Sequence, residues 1–330
     1  MTKTIKIIIN FSKILLLALL LYILYCQLKN KQVSFNDFKN ISSNISINSF
    51  IYLGLAIILM PVNWFLESFK WKKLVNVIQS DYTFIDAVKS VLIGVFFGFI
   101  TPNRVGEFGG RLLFIKKGNK LKALNLTFIG GLAQFIITFL IGSFFGSLLL
   151  TGFFGLYKVL YLLIFPIFII FSLLIYFNIK DLSKKIFSFN IFKKFSEKYI
   201  FNFSISSSFL SQNILITLFR YTIYVFQYIL IIKFVGIELD WIFSVQIITT
   251  MLFLQTIIPS FALIDLGIRS NILLYLLSDY AENQLVVLFV VFLVWILNLV
   301  IPAVLGYFYL LNLKTEEHYE KLTDNYIHND

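Results

Sequence analysis

The 330-residue chain is 59% hydrophobic, 18% aromatic and only 14% charged, with a formal net charge of +11. That balance excludes a soluble globular domain. Several windows exceed the roughly 18 apolar residues needed to cross a hydrocarbon layer, so the expected class is an all-α polytopic membrane protein with a single transmembrane domain over residues 1–330. The one cysteine (Cys26) and two tail histidines (His318, His328) leave no disulfide framework within the chain and no metal-ligand cluster.

The first apolar run, Ile14–Cys26, follows Lys3, Lys6 and Lys13 and is not followed by an A-x-A-like cleavage site. It reads as a retained helix that leads into an outer loop ending near residue 49. Further long helices are predicted at Phe50–Leu66, Leu121–Leu150, Leu156–Phe177, Phe209–Val235 and Gln284–Leu313, making six in all. Two composite segments remain, Phe84–Ile115 and Trp241–Leu277, each broken by a proline, at Thr101-Pro102 and Ile258-Pro259. Their second arms, Arg104–Lys116 and Asp265–Leu277, have about 13 residues, roughly 20 Å of helix and short for a crossing. Each composite is therefore expected to be a re-entrant helical hairpin, over residues 84–116 and 241–277.

Charge placement fits that topology. With a cytoplasmic N-terminus, the inner side collects Lys70, Lys72 and Lys73, then Arg111, Lys116, Lys117, Lys120 and Lys122, then the basic loop Lys180–Lys198, and finally Lys314. The last outer stretches are acidic, at Glu238, Asp240, Asp279 and Glu282. This is a positive-inside bias, and it puts both termini in the cytoplasm. A single crossing by either composite would break it; two full crossings would not, and arm length argues against those. One hairpin then opens inward and the other outward. Residues 50–150 and 207–313 become inverted repeats, joined by a connecting helix and basic loop over 151–206 and followed by a polar tail over 314–330. The basic loop serves either as an amphipathic helix on the inner leaflet or simply as a topology determinant.

The stretch "FITPNRVGEFGGR" is the most polar part of the apolar region. Thr101 and Pro102 read as a helix start, and Arg104 offers a planar donor fork suited to phosphate or carboxylate. Gly106, Gly109 and Gly110 allow close approach. Glu107 is placed to pair with Arg104 or with Arg111. In the second hairpin Pro259 and Gly267 play the hinge part, and Asp265 and Arg269 are spaced i, i+4. Arg220 lies mid-helix in "LFRYTIYVFQY" with Gln227 on the same face, and an arginine that deep must face protein or water. Glu67 and Trp71, in "NWFLESFKWKK", read as an interfacial anchor.

The stretch "FGFITPNRVGEFGGR" resembles the Thr-Pro-Gly-Arg-x-Gly-Glu signature of the flippase-like membrane family related to the transmembrane part of lysylphosphatidylglycerol synthase. Thr101, Pro102, Arg104, Gly106 and Glu107 match, while Asn103 replaces a glycine. The helix with Arg220 and Gln227 looks like the family's Arg-to-Gln helix. "IPSFALIDLGIR" is similar to a late motif, keeping Pro259, Gly267 and Arg269 but carrying Ser270 where a glutamate is expected. The resemblance spans roughly Phe50 to Leu311. It implies a polytopic fold with re-entrant helices that moves or accommodates lipid-linked anionic groups.

The expected function is thus that of a lipid flippase or transporter in the bacterial inner membrane, acting on a membrane lipid with an anionic head group. Substrate-binding residues would be Thr101, Arg104, Glu107, Arg111, Arg220, Gln227, Asp265 and Arg269. No catalytic residue, metal, cofactor or nucleic-acid partner is expected. The chain ends about 17 residues after its last span, so no aminoacyltransferase domain is expected either. A noncatalytic membrane subunit working with a separate cytosolic or envelope enzyme is the alternative. A head-group enzyme using Glu107 or Asp265, with Glu67 a distant third carboxylate, is a further reading.

Overall fold

The computed structural model describes residues 45–101, 104–149, 151–182, 205–258, 262–280 and 284–311. The run Ile14–Cys26, Pro102, Asn103, Pro259, most of the basic loop and the tail histidines lie outside the described residues. Regular structure among the described residues is entirely helical.

Four helices are long and apolar enough to cross a membrane, within Ile47–Asn76, Lys117–Leu149, Ser207–Phe234 and Gln284–Leu311. In chain order the α-helices are α1 (Phe50–Asn76), α2 (Phe84–Ile100), α3 (Gly106–Arg111), α4 (Lys120–Leu149) and α5 (Thr151–Phe177). They continue as α6 (Ser207–Phe234), α7 (Trp241–Ile257), α8 (Ala262–Leu276) and α9 (Gln284–Trp295). A π-helical segment, Ile296–Val300, carries α9 on into the helical residues that follow it. Pro302, two residues further, lacks an N–H and crowds the carbonyl of Asn298; the wider π turn accommodates it.

Two of these helices depart from the sequence expectation. The first long helix runs ten residues past Leu66, to Asn76. Within that extension Glu67, Lys70 and Trp71 are buried in the bundle, while Lys72 and Lys73 are not. The returning arm of the first hairpin is also not a 13-residue helix. It is the six-residue α3, followed by turns over Leu112–Phe114.

Helices α1 and α6 run antiparallel along their whole length. Phe50 packs edge-on against Phe234, Gln227 reaches the Ala56 carbonyl, Arg220 meets Asn63, and Lys73 meets Gln212. The two hairpins therefore start from opposite ends of this pair. The α2/α3 hairpin leaves beside Asn76 and returns to the same end. There the Lys116 N–H donates to Gln79 Oε1 at 3.1 Å and Asn119 donates to the Ile78 carbonyl at 2.7 Å. The α7/α8 hairpin leaves beyond Phe234 and also returns, bringing Tyr280 against Phe243 with ring centroids 4.8 Å apart.

Each outgoing arm is packed by the last long helix of the other half. A Cβ on Gly142 of α4 would lie 2.5 Å from the Thr249 carbonyl oxygen on α7, and one on Gly306 would lie 2.0 Å from the Leu92 carbonyl oxygen on α2. Backbones this close are how apolar helices associate in a medium without a hydrophobic drive between them. Local signals start both arms: Thr83 and Asp86 form a reciprocal capping box for α2, and Asp240 caps α7 through the Ile242 N–H.

Candidate functional site

On α1, Asn63, Glu67 and Lys70 follow at i, i+4 and i+7 and so share one face. Each is only 3% exposed. The Glu67 carboxylate gathers three cations from three elements: Lys70 at 2.8 Å, Arg111 of α3 at 2.7 Å, and Arg220 of α6. Asn63 accepts from Arg220 Nε at 3.0 Å and donates to Asn298 of the π segment at 3.2 Å. Charges this deep persist only when paired and hydrogen-bonded, and here one carboxylate organises most of them.

The network continues to the tip of the first hairpin. Arg111 is shared between Glu67 and Glu107, the latter at 2.5 Å, and Glu107 also meets Arg104 at 3.2 Å. Trp71 lies beneath the Arg111 guanidinium, 5.4 Å from the ring centroid, and donates through its indole N–H to Tyr82. Burial pushes the Tyr82 phenol, in the α1–α2 loop, up to about 12, so it stays a neutral anchor for that indole.

Backbone geometry at the tip explains its glycines. A Cβ on Gly106 would lie 2.3 Å from the Phe97 carbonyl oxygen, and one on Gly110 would lie 2.6 Å from Gly94 Cα. Arg104 adopts a φ of +57°, unusual for a residue with a Cβ. Its side chain remains 44% exposed, towards the cavity.

The second hairpin builds a parallel arrangement with neutral partners. Gln255 of α7 donates to Asp265 of α8 at 2.5 Å, and Asp265 holds Arg269 at 2.7 Å. Arg269 also donates to the phenol oxygens of Tyr224 and of Tyr228, the latter at 3.2 Å.

Both hairpins and helices α1, α4, α6 and α9 enclose one cavity of about 390 Å³, within the usual size of a small-ligand pocket. Of the candidates named from the sequence, Arg104, Glu107, Arg111, Arg220 and Arg269 line it. Three other candidates hold structure instead of lining the cavity. Thr101 ties the tip, donating to the Phe97 carbonyl at 2.8 Å and accepting from the Gly106 N–H at 2.7 Å. Thr101 itself is extended, and the described α3 begins at Gly106. At six residues α3 has too little dipole to matter, and anion affinity must come from side chains. Gln227 is fully buried and donates to the Ala56 carbonyl at 3.0 Å, joining α6 to α1. Asp265 supports Arg269 from behind. Among the hinge glycines, Gly109 and Gly267 have nothing within 4 Å of a built Cβ, so no close approach requires them.

The sequence reading left Asn63 and Asn298 unremarked and read Glu67 and Lys70 as interfacial groups outside the binding set. The i, i+4, i+7 spacing of Asn63, Glu67 and Lys70 in an apolar helix was the available signal. Lys70 and Trp71 were absorbed into an interface pattern because Lys72 and Lys73 follow them directly.

The cavity is electrostatically lopsided. Lys70, Arg104, Arg111, Arg220 and Arg269 face only Glu67 and Glu107 in its lining. Buried donors on the same lining also lack partners: Trp64 Nε1, Arg111 Nε and Arg269 Nε, with the Tyr221 hydroxyl beside them. Unmet donors in a low-dielectric cleft with a positive balance favour an acceptor-rich anion. Among the described residues no group of three His, Cys, Asp or Glu side chains could hold a metal ion.

An all-helical integral membrane protein whose two hairpins close a cationic cleft midway along its long helices is the class these features define. The chain belongs to the family of the lysylphosphatidylglycerol synthase transmembrane region, whose model matches residues 10–306. No curated protein matches it.

Proposed function

We propose that the protein is a lipid flippase or transporter that accommodates the anionic head group of a membrane lipid in the cleft between its hairpins. The observation that carries this reading is the cleft's positive lining with unpartnered donors, placed midway along helices long enough to cross a bilayer. Lipid provides an occupant that is both apolar at one end and anionic at the other.

In this reading the hairpins are re-entrant and related as inverted repeats, giving the cleft one gate on each side. Their origin at opposite ends of the α1/α6 pair supports it, as does the reciprocal packing of α4 on α7 and α9 on α2. The basic end, with Lys72, Lys73, Lys116, Lys117, Lys120 and Lys122, faces the cytoplasm of a bacterial inner membrane, and both termini lie on that side. The role is transport and not catalysis: each carboxylate at the cleft is taken up in holding an arginine. A separate enzyme would make or consume the lipid.

Translocation of labelled anionic lipids in proteoliposomes tests the reading. The wild-type protein is expected to accelerate it, and Arg104→Ala to abolish it while the protein still folds, since Glu107 keeps Arg111 as a partner. Wild-type rates equal to those of empty liposomes across anionic lipids would overturn it.

A further inference from the structure

Arg111 and Arg269 occupy the same local device. Each lies four residues after a carboxylate on the returning arm of its own hairpin, Glu107 before Arg111 at 2.5 Å and Asp265 before Arg269 at 2.7 Å. Each lines the cavity, and their side chains are 8% and 11% exposed. Each also keeps a buried Nε without a partner. A guanidinium has five N–H donors in one plane, so a carboxylate on one edge leaves donors for a second anion. Opposite hairpins thus bring two pre-oriented donor edges to one cleft.

The two edges are separate points. Arg111 connects through Glu67 to Arg220, whereas Arg269 bonds Tyr224, one helical turn further along α6. Their partners on α6 are thus one turn apart, about 5.4 Å of axis. Trp64 Nε1 and the Tyr221 hydroxyl, unpartnered on the same lining, add donors there.

Charge gives an independent count. The five lining cations stand against Glu67 and Glu107 in the lining and Asp265 behind Arg269, so five against three leaves two positive charges. A phosphodiester would match one of them, while a phosphomonoester or a pair of phosphates carries charge enough for both; the two separate donor edges favour the pair.

Resting on the anionic-lipid reading above, we infer that the head group taken by this cleft carries two phosphates, one met by Arg111 with Arg104 and the other by Arg269. The chemistry is shared by two lipid classes, a polyprenyl diphosphate and a bis-phosphate lipid whose phosphates are bridged by a short polyol.

Native mass spectrometry of the full chain, titrated with matched lipid pairs, tests this. The pairs are polyprenyl monophosphate against diphosphate of the same chain length, and phosphatidylglycerol against diphosphatidylglycerol. The two-phosphate member of at least one pair is expected to bind about tenfold tighter than its counterpart, and the pair that shows it identifies the class. The double variant Asp265→Asn with Arg269→Gln, which keeps a neutral hydrogen-bonding pair on α8, is expected to erase the preference. Equal affinities within both pairs, or a preference that survives the double variant, would overturn the inference while leaving an anionic-lipid site. Binding of every anionic lipid no better than phosphatidylcholine would sink that underlying reading as well.

Discussion

In the first hairpin Arg111 is held by two carboxylates, Glu107 and Glu67; in the second Arg269 is held by one, Asp265, and by the phenol oxygens of Tyr224 and Tyr228. The first returning arm is a six-residue helix pressed backbone to backbone on its partner, while the second is a 15-residue helix with open space beside its glycine. The same acid–arginine spacing is thus supported in two ways, one by a charge network reaching into α1 and α6, the other by neutral groups nearby. A network of charges is intolerant of losing one member, because every remaining charge stays buried. A neutral shell loses only hydrogen bonds.

The largest expected effect follows from that contrast. Glu67→Ala strands Lys70 and Arg220 and leaves Arg111 only Glu107, and removing one partner of a buried pair costs about 3–5 kcal/mol. Thermal unfolding in detergent is expected to show a severe loss, or no folded protein. Tyr228→Phe takes one phenol oxygen from Arg269 while Asp265 keeps its charge matched, and is expected to lower the midpoint clearly less. Equal losses would show that the two hairpins are supported alike.

Next in size is a pair of glycine substitutions. Gly110→Ala drives a methyl against Gly94 backbone, and overpacking of this kind costs about 1–3 kcal/mol. Gly267→Ala meets nothing within 4 Å and replaces a helix-weakening residue, so it is expected to stabilise by up to about 1 kcal/mol. The same melting measurement checks both, and a destabilising Gly267→Ala would mean that α8 needs a hinge there.

Much of the architecture was legible because apolar runs and prolines mark helices at low resolution. The α4 helix, predicted at Leu121–Leu150, spans Lys120–Leu149, and α6, predicted at Phe209–Val235, spans Ser207–Phe234. What stayed hidden was partnership. Glu67 and Lys70 look like an interfacial pair until Arg111 and Arg220, 44 and 153 residues away, are brought to them. Gln227 shares a face with Arg220, yet it is spent on the Ala56 carbonyl, because two turns further along α6 the neighbour is backbone and not cavity. The short α3 was also hidden, since glycines at positions 106, 109 and 110 signal close approach without saying where the helix stops.

Arg104 separates stability from function within the first hairpin. Its left-handed backbone costs about 1–2 kcal/mol for a residue with a Cβ, and its half-exposed guanidinium makes one 3.2 Å contact to Glu107. Arg104→Gly relieves that cost, although glycine also gains freedom in the unfolded chain. Stability is expected to stay within about 1 kcal/mol of wild type or to rise, while binding of anionic lipid falls. A variant that retains lipid binding would remove Arg104 from the site.

The smallest effect concerns how the first hairpin is fastened at its open end. Lys116 reaches Asp81 at 2.6 Å, but both side chains are more than half exposed, and salt screens such a pair. The Lys116 ammonium hydrogen-bonds the Asp81 carboxylate and holds its pKa below the ordinary value. Because that pKa is lowered on folding, the pair contributes above the unfolded value, near pH 4, and is lost as pH falls through the lowered folded value. At neutral pH and moderate salt Lys116→Ala is therefore expected to leave the melting midpoint unchanged, and any small difference from wild type should vanish on acidification. The Gln79 side chain accepts a backbone N–H in a buried setting, where losing an acceptor costs more than losing an exposed charge. Gln79→Ala is expected to lower the midpoint measurably at the same pH. If Lys116→Ala proved the more damaging of the two, charge and not backbone hydrogen bonding would anchor the returning arm, and the first hairpin would depend on ion pairs at its open end as it does at Glu67.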